Sequence, residues 1–159
     1  MRGALRLHSA RTALIVATLA GVALCFSALL GTPGVESALV LGVLLPPFCA
    51  AVGVRIADSE RGAPVGTLVT HAMAVSWIAL AIPVGLFTLN MARVPICTPL
   101  EGLAFLALGP GAAVALSATV GVVVGALVPR VRLATAIAVL IPLFAAGVDG
   151  RLACRIHDD

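Results

Sequence analysis

The amino-acid sequence predicts an all-α fold: a polytopic integral membrane bundle of about five transmembrane helices with proline kinks. Of its 159 residues, 61% are hydrophobic and 11% are charged, whereas a soluble domain has roughly 45–50% apolar and about 25% charged residues. A water-soluble fold of this length leaves too much surface exposed to hide so many apolar side chains. The apolar runs are long and lack the alternation of barrel strands, so helices are the backbone that satisfies its hydrogen bonds in lipid.

The first expected helix follows a basic N-terminal segment, residues 1–11, which carries Arg2, Arg6 and Arg11. The apolar run at 12–31 has the length of about 20 residues that a membrane span needs. It is longer than the roughly 7–15-residue apolar region of a signal peptide, and no clear small-residue cleavage site follows it. We therefore expect this run to be retained as a span.

Turns and polar loops separate four further apolar runs. Thr32-Pro33-Gly34 and the charged segment around Asp58 and Arg61 mark two of these boundaries, because such residues favour turns and loops. The fifth run is short. If it does not cross the membrane, the chain has four spans and the C-terminal tail stays in the cytoplasm. The expected spans are residues 12–31, 37–54, 65–89, 103–128 and 133–148, and the polar C-terminal tail is 149–159.

The arginines predict the orientation, because cytoplasmic segments carry the excess of basic residues. With the N-terminus inside, the outer segments hold only Arg93, Arg151 and Arg155. We expect a cytoplasmic N-terminus, an external tail and a cell membrane location, a bacterial inner membrane. The segments expected inside hold Arg2, Arg6, Arg11, Arg55, Arg61, Arg130 and Arg132.

Proline lies within several expected spans. Each proline removes a backbone donor and bends its helix. Transporters build substrate sites from such broken helices, but proline is also simply commoner in membrane helices than in soluble ones. The expected kinks are at Pro46, Pro47, Pro83, Pro110 and Pro142.

The fourth span has a small residue at every fourth position, at Gly109, Ala113, Ser117, Gly121 and Gly125. Small-xxx-small stripes allow helices to approach closely. We expect a helix-packing face, with either another helix of the same chain or a second copy as its partner.

His71 is the one ionisable residue deep in an expected span, about 9 Å from its inner end at the helical rise. Intramembrane ionisable groups often mark proton or ligand sites, although a histidine can also serve only to hydrogen-bond a neighbouring helix. Asp58 and Glu60, in the inner loop, are the nearest candidate carboxylates.

Cys97 and Cys154 both fall on the outer face of the expected topology. An outer compartment permits disulfides, so these residues either form one or remain two free thiols.

The remaining sequence gives no specific activity. Motifs such as GxSxG, HExxH and the Walker A loop do not occur, and the scattered arginines lack the basic stripe of a nucleic-acid-binding protein. We expect no cofactor, no metal and no nucleic-acid partner, and no enzymatic activity. Two hypotheses remain: a small transport or permease-like component, or a non-catalytic anchor or assembly subunit, including the membrane part of a larger protein. The expected partners are the lipid bilayer, further copies of the chain or other membrane subunits.

Overall fold

A computed structural model of the chain describes residues 2–26, 34–91, 99–128 and 130–142, and these ranges contain helices and no strand. The all-α class is therefore as predicted. The fourth helix, α4, consists of two α-helical segments joined by a turn of π-helix at Ala107–Gly111. The helices are α1 Arg2–Cys25, α2 Val35–Ser59, α3 Val65–Asn90, α4 with segments Pro99–Leu106 and Ala112–Leu127, and α5 Val131–Pro142.

Three helices in the described ranges are long and apolar enough to cross a membrane, namely Val35–Ser59, Val65–Asn90 and Leu100–Leu127. Two shorter apolar helices, Leu14–Cys25 and Val131–Pro142, accompany them. The ends of the expected first and fifth spans, at 27–31 and 143–148, lie outside the described residues, as does the tail.

Helix α2 begins two residues earlier and ends five residues later than the apolar run at 37–54. At its start, Ser37 Oγ accepts a hydrogen bond from the Gly34 N–H at 2.9 Å and donates one to the Gly34 carbonyl at 3.0 Å. The first of these bonds gives a partner to the Gly34 N–H, which the helix itself leaves without one. At the other end, Arg55 continues the helix because arginine favours helices and reaches water with its charged head.

Four of the five prolines at the expected kinks sit within helices without ending them. Pro46 and Pro47 lie inside α2, and Pro83 lies inside α3. Pro110, where the sequence predicts a kink, lies in the π turn of α4, so the helical winding changes locally at this residue. Pro142 is the last described residue of α5. Neighbouring helices and local changes of winding commonly provide new partners for the backbone carbonyl groups that proline leaves without a hydrogen bond.

Helix α2 is central to the bundle, because it contributes to all three clusters of buried apolar residues. Near its start, Leu41 and Leu45 pack with Phe87 of α3 and Leu106 of α4. Further along, Val52 packs with residues of α3 and α4, and Val54 packs with residues of α5. Helix α4 runs parallel to α2, since Gly121 lies against Ala50 while Gly125, one turn on, lies against Val54.

This arrangement brings the ends of α2 and α4 together with the starts of α3 and α5. We call this end of the bundle the arginine end, because Arg55, Arg61, Arg130 and Arg132 lie there. Gly62, whose φ of 103° lies in the left-handed region that glycine tolerates, turns the chain between α2 and α3.

Candidate functional site

A cleft of about 730 Å³ opens at the arginine end, between the end of α2 and the start of α5. We call it the arginine cleft. It combines three guanidinium groups with one carboxylate and two hydroxyls, which makes it the strongest candidate site among the described residues. Its lining residues are Arg55, Asp58, Ser59, Arg61, Val131, Arg132 and Thr135.

Three separate segments position the three arginines. Arg55 lies near the end of α2, Arg61 lies in the loop that follows it, and Arg132 lies in the first turn of α5. Ala134 and Ala138 hold α5 in place, because they are fully buried in a cluster with residues of α2. The sequence thus supplies each arginine separately, and the packing of α5 on α2 brings them to one cleft.

The charges in the cleft are only partly compensated. Arg61 Nη2 lies 2.9 Å from Asp58 Oδ1, with both side chains partly exposed. Arg55 and Arg132 form no ion pair with any residue in the described ranges. With three guanidiniums and one carboxylate, the lining carries a formal charge of +2. An anion is therefore the ligand class that this charge favours.

The hydroxyls of the cleft already donate their hydrogen bonds. Ser59 Oγ donates to the Ile56 carbonyl at 3.0 Å, and Thr135 Oγ1 donates to the Val131 carbonyl at 2.8 Å. Their oxygen lone pairs remain as acceptors. Guanidinium groups are consequently the main donors that the lining offers to a ligand.

His71 lies in the second turn of α3, near the arginine end. Its Nδ1 is 3.6 Å from Glu60 Oε1, and its side chain is 53% exposed. Glu60 is one of the two carboxylates that the sequence suggested as nearest neighbours. The pair attracts electrostatically when the imidazole is protonated, but the separation is longer than a well-formed hydrogen bond. His71 therefore faces outward beside a carboxylate, away from the apolar clusters of the bundle.

The stripe of small residues on α4 divides into two parts. Gly109 is exposed, with nothing within 4 Å of a Cβ placed on it, and Ala113 is half-buried. Ser117, Gly121 and Gly125 are buried. The two buried glycines face α2 of the same chain.

The contact between α2 and α4 is made backbone to backbone. A Cβ placed on Gly121 would meet the Ala50 backbone, and one on Gly125 would lie 2.9 Å from Val54 Cα. On α2, a Cβ placed on Gly53 would lie 2.6 Å from the Ala118 carbonyl oxygen. Sequence reasoning missed Gly53, although small residues recur on α2 at helical spacing, from Ala50 through Gly53 to Ala57.

Two further expectations concern cysteines and metals. Cys97 and Cys154 lie outside the described residues. Cys25 and Cys49 are free thiols, and Cys49 is buried. Within the described ranges, no group of three or more His, Cys, Asp or Glu side chains is placed to hold a metal ion.

Comparison of the chain with known protein families, curated proteins and solved structures finds no match.

Proposed function

We propose that this chain is a multi-pass integral membrane protein with five spans, a cytoplasmic N-terminus and an external C-terminal tail, in a bacterial inner membrane. The observation that carries the proposal is that every described helix exposes large apolar side chains. In water these side chains would form an extensive exposed apolar surface, which is unfavourable in free energy. In a bilayer the lipid chains solvate them without that penalty. Examples are Leu19, Leu39, Ile78, Leu116 and Leu140.

Within the membrane, we propose a non-catalytic role, as an anchor or assembly subunit. Among the described residues, the buried polar side chains are three serines, Ser37, Ser76 and Ser117, and no charged side chain is buried. A route for a polar substrate or an ion would need polar groups along the bundle. The backbone contact between Gly53 and Ala118 supports the same role, because it closes the space between α2 and α4.

A permease-like component is the second candidate, and one observation favours it. The π turn that holds Pro110 packs against α2, the helix that contains Pro46 and Pro47. Two helices with altered backbone hydrogen bonding therefore lie side by side, and discontinuous helices of this kind form the substrate sites of transporters.

Reporter fusions test the topology. We expect a fluorescent protein fused after residue 62 or 129 to fluoresce in the cytoplasm. Alkaline phosphatase fused after residue 34, 97 or 159 should be active outside. If the reporter fused after residue 159 reports a cytoplasmic location, the chain has four spans. Extraction of the chain from membranes by alkaline carbonate would refute the membrane assignment.

Reconstitution separates the two roles. For an anchor or assembly subunit, we expect liposomes containing the purified chain to show no pH-driven flux and a soluble or membrane partner to co-purify in fixed stoichiometry. A flux that His71→Ala abolishes, from one homogeneous oligomer, would instead establish the permease.

A further inference from the structure

We propose that the arginine cleft binds the phosphate group of an anionic phospholipid headgroup. The inference rests on the proposed membrane location and adds a ligand to it. Its donors are Arg55, Arg61 and Arg132, which come from three separate segments and line one cleft. Guanidinium groups present several N–H donors in a planar fork that matches phosphate oxygens.

The charge and hydrogen-bonding state of the lining fit such an anion. Two of the arginines, Arg55 and Arg132, have no carboxylate partner in the described part of the chain, so a phosphate would neutralise them. The Asp58 carboxylate and the acceptor lone pairs of Ser59 and Thr135 would accept hydrogen bonds from hydroxyl groups of the headgroup.

The size of the cleft favours a headgroup over a small inorganic ion. Its volume of about 730 Å³ falls within the roughly 300–1,000 Å³ of pockets that take drug-sized organic molecules. A free phosphate ion would occupy only a small part of it.

The surroundings of the cleft favour a lipid over a soluble phosphate compound. Leu133 and Ile137 are exposed on α5, the same helix that brings Arg132 and Thr135 to the cleft, and Leu127 is exposed at the end of α4. The cleft therefore lies at the ends of helices that expose apolar side chains, where the headgroups of a surrounding bilayer would lie. Basic pockets between the ends of membrane helices are a recurrent setting for anionic headgroups.

Native mass spectrometry and thermal unfolding of the full chain in detergent test the inference. We expect phosphatidylglycerol to bind and stabilise the protein in preference to phosphatidylcholine. Arg55→Gln and Arg132→Gln should each weaken phosphatidylglycerol binding about fivefold, the effect of roughly one basic residue near an anionic surface. Arg130→Gln is the matched control, because Arg130 is exposed two residues from Arg132 but does not line the cleft.

Each outcome bears on the proposal. An equal loss in R130Q would mean diffuse attraction to charge and would overturn the site. Equal stabilisation by inorganic phosphate without lipid would assign the cleft to a free anion and overturn the lipid source. Absence of any preference in the wild-type chain overturns the proposal without relying on the folding of a variant.

Failure of the lipid inference is distinguishable from failure of the membrane assignment. A chain that resists carbonate extraction but shows no preference for phosphatidylglycerol contradicts only the headgroup site. A chain that carbonate extracts contradicts the membrane location and the lipid site together.

Discussion

The contact between α2 and α4 differs from the contact between α1 and α3, although glycine lies at the centre of both. At the first contact, Gly53 and Gly121 face the backbone of the opposite helix. At the second, a Cβ placed on Gly21 would meet Leu86 Cδ1 at 2.8 Å and Pro83 Cα at 3.1 Å. A backbone cannot move aside without moving its helix, whereas the end of a leucine side chain can rotate.

The difference indicates which part of the bundle is least adaptable. Small residues on both α2 and α4 keep large side chains away from Gly53 and Gly121, as at other close helix crossings. On α3, Gly85 has nothing within 4 Å of an added Cβ, so it is not a counterpart to Gly21. The pair of α2 and α4 is therefore a rigid frame, and α5 and the arginine cleft are built on α2.

The strongest test of the frame is Gly121→Ala. We expect it to lower the free energy of unfolding by about 3 kcal/mol, the upper part of the usual range for an overpacked core, because the new methyl group meets the Ala50 backbone. Steric-trap or thermal unfolding in detergent measures the change. Gly42→Ala is the control, since a Cβ there meets nothing within 4 Å, and equal stabilities for the two variants would contradict the rigid contact.

Gly21→Ala tests the more adaptable contact. We expect a loss of about 1 kcal/mol, since Leu86 can rotate away while Pro83 remains close. The same unfolding assay compares this variant with Gly66→Ala, which adds a Cβ into open space. A loss as large as that of G121A would show that the α1–α3 contact is equally rigid.

Ser76→Ala tests a contact made by side chains. Ser76 is 1% exposed, and its Oγ makes no hydrogen bond in the described part of the chain, although it faces the Cys49 thiol. Because the hydroxyl faces only the weakly hydrogen-bonding Cys49 thiol, its removal should leave stability unchanged or raise it by up to about 1 kcal/mol. A clear loss of stability, measured alongside Ser37→Ala as a variant that does remove two hydrogen bonds, would reveal a hidden partner.

His71→Ala should have the smallest effect, because the His71 side chain is 53% exposed and lies outside both contacts. We expect a change below about 0.5 kcal/mol, as for most substitutions of exposed side chains. The free energy of unfolding, and the growth of cells that depend on the protein, are compared between His71→Ala and Glu60→Gln. The second variant removes the Glu60 carboxylate that lies beside His71. A growth defect in a fully folded H71A protein would contradict a merely structural role.

The sequence was most informative about helices and least informative about their ends and contacts. The apolar runs located α2, α3 and α4, but the apolar signal stops at residue 54 while α2 continues to Ser59. Hydropathy reports side-chain solvation, whereas a helix ends where its backbone hydrogen bonds end. The stripe on α4 includes Gly121 and Gly125, but a local pattern does not identify Gly53, because it carries no information about the opposing helix.

The arginine cleft likewise combines residues that the sequence shows with contacts that it does not show. In the sequence, each arginine is a charge next to an expected span and by itself indicates only orientation. Their convergence depends on α5 packing against α2, through Ala134 and Ala138. Nothing in the spacing of Arg55, Arg61 and Arg132 along the chain places them together.

The sequence by itself determined that the chain forms apolar helices, because local hydropathy and backbone hydrogen bonding are properties of consecutive residues. Only the tertiary structure decided that Gly53 meets α4, that His71 lies beside Glu60 and that three arginines share one cleft. These are contacts between residues distant along the chain, and they depend on which helix faces pack together.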